Sequence, residues 1–217
     1  MPCAARWLTI SSREINIQDL LNLQEYSDAQ REALHALRGE LGEDWLAETH
    51  EADAADLETR LRRRFHIDTI NVIKRRIEHV MSSGKVTRDR GISMTRTVIE
   101  ALKGARVVLV DTSSMPEMEE LLVSTVIARS VLEHYQHAYE SPDEFAVLPP
   151  ILITMEEAQR VLDKSRGTVF SRIAREGRKF KVGLCAISQQ PKLIDNQVIS
   201  QFNTLFVMGL ADKRDRE

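Results

Sequence analysis

The chain has 217 residues, with 30 Lys+Arg against 33 Asp+Glu, a formal net charge of −3 and 42% hydrophobic residues. That is globular composition, which excludes a disordered tail, and the near-neutral balance excludes a wholly basic nucleic-acid binder while leaving local patches open. Two cysteines, Cys3 and Cys185, cannot build a disulfide framework, so a reducing cytoplasm is the simplest compartment. Cys185 sits in an apolar run that reads as core. The longest apolar stretches fall well short of the ~20 residues of a membrane helix. The start, Met-Pro-Cys-Ala-Ala-Arg, carries no signal-peptide pattern. Secreted, membrane-spanning and disulfide-scaffold classes are thereby excluded.

Residues 13 to about 103 read as a succession of helices. Leu20, Leu21, Leu23, Leu34, Leu37, Leu41 and Leu46 recur at roughly helical spacing. A charged, Ala-rich stretch, 43–64, ends in Arg60-Leu61-Arg62-Arg63-Arg64. Ile67, Ile70, Ile73, Ile77 and Val80 then repeat at three and four, predicting an amphipathic helix that starts near Asp68 and frays at Ser82-Ser83-Gly84. A shorter helix, 93–103, is closed by Gly104.

From Ala105 the pattern changes to strand, helix, strand. Val107-Val108-Leu109-Val110-Asp111 is an apolar run ending in an acid, as a buried parallel strand does. Ser114-Met115-Pro116-Glu117 opens a helix with a capping box and an early proline. Pro149-Pro150 precedes a second strand, 151–155, followed by Glu156-Glu157. A helix to about Lys179 leads to a third strand, 182–188, ending in Gln189-Gln190-Pro191, and a fourth is expected over 204–208. This rhythm predicts an α/β fold with a parallel sheet, 105–217, preceded by a helical region, 1–104.

In such a sheet, chemistry gathers where strands end at their carboxyl edge. Asp111, Glu156-Glu157 and Gln189 all stand there. Paired acids after an apolar strand can hold Mg²⁺ through water and position a water for attack on a nucleotide γ-phosphate. The competing explanation is that they cap the following helix, where first-turn Glu is favoured. A neighbouring strand ending in Gln favours the phosphate chemistry.

Met155-Glu156-Glu157-Ala158-Gln159-Arg160, the stretch 170–180, Ser188-Gln189-Gln190-Pro191 and the stretch 198–204 together resemble the HerA family of hexameric DNA-translocating ATPases, relatives of FtsK. The resemblance is specific over about 105–217. It implies a RecA-like P-loop NTPase core, ATP and Mg²⁺, double-stranded DNA as substrate, a homo-hexameric ring and a NurA-type nuclease partner in DNA end processing and repair. Glu157 matches the family's catalytic glutamate and Gln189 its sensor glutamine, while Glu156 replaces the family's Asp as the Mg²⁺-organising acid. Asp111 joins Glu156 and Glu157 on the nucleotide side.

Between 166 and 181 lie six basic residues, Arg166, Arg172, Arg175, Arg178, Lys179 and Lys181, against the single acid Glu176. Arg172, Arg175 and Lys179 are expected on one helix face. The run is a solvated face, an arginine finger reaching a neighbour's phosphates, or a DNA contact. By resemblance Arg175 or Arg178 is the finger, and Lys179, Lys181 and Arg172 are candidate DNA contacts.

The glycine-rich loop G-x-x-x-x-G-K-[ST] is absent from these residues. Gly84-Lys85 comes nearest, but His79 stands at the first glycine and Val86 at the hydroxyl position. The family places that loop before Trp7, so the chain is expected to be the downstream part of such an ATPase, with an incomplete sheet and no ATP hydrolysis of its own. The open edge of strand 151–155 would then favour self-association. Two further readings stay open: a non-catalytic α/β interaction module derived from such an ATPase, and a metal-dependent nuclease using Asp111 and Glu156.

Overall fold

The structure, a computed structural model, describes residues 8–89, 93–162 and 168–209. Cys3, Trp7, Arg166 and the tail from Asp212 lie outside them. The fold is mixed α/β, mostly helical, with small parallel sheets. It divides into two compact units, Met1–Thr97 with Asp111–Val126, and Val98–Val110 with Ile127–Glu217.

The first unit is a helical cluster. Asn16 caps α1 (Ile17–Leu23) and Ser27 caps α2 (Asp28–Leu41), each with a reciprocal capping box. After α3 (Trp45–Glu51) and α4 (Ala54–Arg60) comes α5 (Ile67–Met81). Its cap is His66, whose Nδ1 accepts from Asp68 N, two residues earlier than the periodicity suggested. Leu34, Leu37, Trp45, Leu46, Leu57, Ile70, Ile73 and Ile77 form the enclosed core. Lys74 Nζ closes the end of α3 by donating to the carbonyls of Thr49, His50 and Ala52. The short strands β1 (Ile10–Ser11) and β2 (Val86–Thr87) pair in parallel. Gly84, in the left-handed region, makes the turn into β2.

The helices α6 (Met94–Lys103) and α7 (Glu117–Ala138) each contribute residues to both units. The second unit continues through α8 (Pro142–Val147), β3 (Ile151–Met155), α9 (Val169–Glu176), β4 (Val182–Ala186) and α10 (Asn196–Ile199). β3 and β4 are parallel, in register from Ile151↔Val182 to Met155↔Ala186. Tyr135, Leu162, Phe170, Ile173 and Val182 are enclosed here, and Tyr135 Oη donates to Pro149 O at 2.9 Å.

Two expected strands do not form. Residues 107–110 are irregular, with Val107 98% and Leu109 91% exposed, and 204–208 are irregular with Phe206 89% exposed. Apolar, β-branched runs carry strand propensity, but a strand exists only through its ladder, and neither segment has a ladder partner among the described residues. The helix expected to run to Lys179 ends at Glu176 and tightens into a 3₁₀ turn, Gly177–Phe180. Gly177, where the change falls, packs closely: a Cβ on it would lie 2.3 Å from Val182 O. Cys185, expected in the core, is half-buried on β4.

Candidate functional site

The carboxyl ends of β3 and β4 hold the polar constellation. Ile187 N donates to Met155 O at 2.9 Å and Ala158 N donates to Ile187 O at 3.0 Å, carrying the ladder past both strand ends. These bonds fold the chain sharply after β3 and put Glu157 in the left-handed region, φ 50° and ψ 40°. Such a backbone costs a non-glycine residue about 1–2 kcal/mol, and it turns the Glu157 side chain toward the end of β4. There Oε1 accepts from Gln189 Nε2 at 3.3 Å, and Oε2 accepts from Gln159 Nε2 at 2.5 Å.

Glu157 precedes the short 3₁₀ turn Ala158–Arg160, yet its side chain makes no capping bond to that turn. The carboxylate is occupied across the sheet edge instead. Two residues that lie in the resembling stretches, with no role assigned to either, complete the arrangement. Ser188 Oγ donates to Gln159 Oε1 at 2.6 Å and accepts from Gln190 N at 3.0 Å. Gln159 is thereby oriented with its amide nitrogen toward Glu157. The signal available beforehand was their place in those stretches and their polarity: each strand is followed by a cluster of polar side chains.

Glu156 is exposed at the same edge. Among the described residues no three His, Cys, Asp or Glu side chains gather as a metal-binding group. Mg²⁺ associated with a nucleotide keeps several waters and needs only one or two carboxylates besides the phosphates. An exposed Glu156 beside Glu157 fits that outer role. Asp111 belongs to the first unit, where its Oδ1 accepts from Ser113 N at 3.0 Å and Ser113 Oγ at 2.6 Å. Those two bonds hold its carboxyl below the usual carboxylate range.

The basic run splits by environment. Arg175, Arg178 and Lys179 are exposed and line an open cleft with Glu176 and Phe180. Because α9 stops at Glu176, Lys179 lies on the following turn and not on the helix face of Arg172 and Arg175. Its ammonium sits 4.9 Å from the Tyr139 ring centroid. Arg172 is half-buried, donating to Gln136 Oε1 at 3.2 Å while its Nε has no partner. Lys181, in the left-handed region, donates to Phe145 O at 2.6 Å, Ala146 O at 3.3 Å and Leu148 O at 3.0 Å. Its charge closes the end of α8.

Known proteins are similar to about half of this chain. A probable helicase of Methanocaldococcus jannaschii is 38% identical over 111 residues, 48% of this chain and 21% of the relative. The DNA double-strand break repair helicase HerA of Saccharolobus solfataricus is 32% identical over 124 residues, 55% of this chain and 25% of the relative. The HerA of Sulfurisphaera tokodaii is 30% identical over 125 residues, with the same coverages of 55% and 25%. Over about half its length the chain is similar to HerA helicases. No family model matches it. The chain spans 21% to 25% of the length of these HerA and helicase relatives. Among the described residues no helix is long and apolar enough to cross a membrane.

Proposed function

We propose that this chain supplies the acidic edge, the sensor and the arginine face of a RecA-like, HerA-type motor that moves along double-stranded DNA in end processing and repair. The observation that carries the reading is the Glu157 carboxylate, turned from the helix-capping position and held by Gln189 and Gln159 at the carboxyl ends of two parallel strands. In this role Glu157 orients the attacking water and accepts its proton. Gln189, within hydrogen-bond reach of the same carboxylate, couples that water to the state of the γ-phosphate. Glu156 holds a water of the Mg²⁺ shell, and the ion, when bound with ATP, neutralises charge developing on the phosphates.

Arg175 or Arg178, both exposed, acts across a subunit boundary of a hexameric ring as the arginine finger. Lys179 is the remaining candidate for a DNA phosphate in this run, because the Lys181 and Arg172 charges are engaged internally. Asp111 is the further acid on the nucleotide side in this reading, its Oδ1 accepting from Ser113 N and Oγ. A NurA-type nuclease is the expected partner on DNA ends.

One observation favours a second reading. No G-x-x-x-x-G-K-[ST] occurs in these 217 residues, so a phosphate cradle must come from elsewhere, and without one the chain is a non-catalytic interaction module. Joining the phosphate-loop segment of a HerA relative to this chain separates the two. The motor reading predicts Mg²⁺-dependent ATP turnover by the chimera and none by the chain alone. A folded chimera that binds ATP without turnover supports the module.

A further inference from the structure

The end of α4 carries arginine where helix geometry asks for glycine. Arg62 N donates to Thr59 O at 2.9 Å and Arg63 N donates to Glu58 O at 2.8 Å. Those are the two reversed bonds of a Schellman ending, which places its first residue beyond the cap in the left-handed region. Arg62 has φ 56° and Arg63 φ 53°. Glycine adopts this backbone freely, whereas a long L side chain is strained in it. Two consecutive arginines here therefore oppose the local conformational preference.

The helix dipole does not account for them. It favours a cation in the last turn, and Arg60 already occupies that place, 2.9 Å from Asp56 and 3.7 Å from Glu48. Arg62 and Arg63 lie beyond the helix, and neither has an ion-pair partner among the described residues. Arg64 follows, its guanidinium 3.8 Å from Glu32 and 5.4 Å from the Phe65 ring centroid. Buried Leu61 and Phe65 pin the turn on both sides, so all three arginines are held outward on a fixed support.

We propose that the turn 61–65 is a binding site for the phosphate backbone of double-stranded DNA, separate from the basic run around Arg175. Adjacent guanidinium forks suit the bidentate geometry of phosphates, and strain retained at an exposed position is the mark of a site held for binding. The choice of DNA among polyanions rests on the motor reading above.

The test is fluorescence-anisotropy binding of the 217-residue protein to a labelled duplex across a salt series, with thermal melting in parallel. Replacing Arg62→Gly together with Arg63→Gly should raise the melting temperature while weakening DNA binding. The slope of log affinity against log salt should flatten by about 0.9 for each arginine lost from a phosphate. Arg62→Gln with Arg63→Gln keeps the strained backbone and should weaken binding equally with no gain in melting temperature. The assignment is overturned if the wild-type chain does not bind the duplex, or if either pair leaves affinity and slope unchanged. Binding to polyglutamate in preference to duplex would also overturn it, pointing to an acidic protein. An ATP-hydrolysing chimera with an unchanged slope removes this site and leaves the motor reading standing. An inactive chimera with the flattened slope does the reverse.

Discussion

Gln189 and Glu157 meet through a hydrogen bond of 3.3 Å, although 32 residues separate them in the chain. The parallel register of β3 and β4 makes the meeting possible, because Met155 and Ala186, the last residues of the two strands, are opposite one another, and Glu157 and Gln189 follow them by two and three residues. Glu157 is therefore positioned by the sheet and by its left-handed backbone, and not by the helix that follows.

Gln159 and Ser188 act on Glu157 indirectly. In the active chimera, Gln159→Leu should lower kcat by about tenfold or more with KM for ATP little changed, since a small misplacement of a reacting group is costly. Gln159→Glu would instead repel the carboxylate and should be at least as damaging. Steady-state kinetics with melting curves check this, and equal loss of stability and of kcat in both variants would mark Gln159 as merely structural.

Lys181 is predicted to be a stabilising residue. Lys181→Met leaves the carbonyls of Phe145, Ala146 and Leu148 without their shared donor. Urea unfolding should show a loss of about 1–3 kcal/mol, while the salt slope of DNA binding stays at the wild-type value. A flattened slope with unchanged stability would restore Lys181 as a DNA contact.

Much of this architecture was legible and some was not, for identifiable reasons. The strand 151–155 and the helix closed near Ser82 follow from local pattern, because apolar period and punctuation are local properties. The strands expected over 107–110 and 204–208 had the same local pattern and did not form, because pairing depends on what lies beside them. Glu157 and Gln189 stood out as polar residues ending strands. The Gln159–Ser188 link did not, since it needs the register of β3 against β4. Lys181 belongs in sequence to a basic run; its reach back to α8 depends on its own left-handed backbone after Phe180, which local pattern does not show.

His134 supplies a pH dependence. Burial, and then the charge of Lys103, push its pKa below the ordinary 6.5, against the pull of Glu144 and Glu100, with a small lowering from His137. Its Nε2 is buried without a partner. The folded chain favours the neutral ring, so between the folded value and 6.5 the unfolded chain binds more protons. The His134 contribution is complete above 6.5 and declines as pH falls through the window below it. His134→Phe, which keeps the edge-on packing against Tyr135, should lose less melting temperature than wild type between pH 7.5 and pH 5. Parallel pH curves would contradict the assignment.

The exposed apolar segments predict self-association. Val107, Leu109, Phe206 and Leu152, which is 65% exposed, present apolar surface, and among the described residues β3 pairs on one side only, with β4. Light scattering at micromolar concentration should give a mass above the 24.8 kDa of one chain, reduced by Leu152→Lys. A monodisperse 24.8 kDa species would contradict this.

The most direct test of the account is Glu157→Gln in the phosphate-loop chimera. The amide preserves shape and hydrogen-bonding capacity but is a far weaker base. ATP turnover should fall by about a hundredfold or more, while the dissociation constant for ATP stays within about threefold of the parent, a shift below 1 kcal/mol. Turnover that survives the substitution, or is lost only in step with ATP binding, would show that Glu157 is structural and would remove the catalytic centre proposed at the ends of β3 and β4.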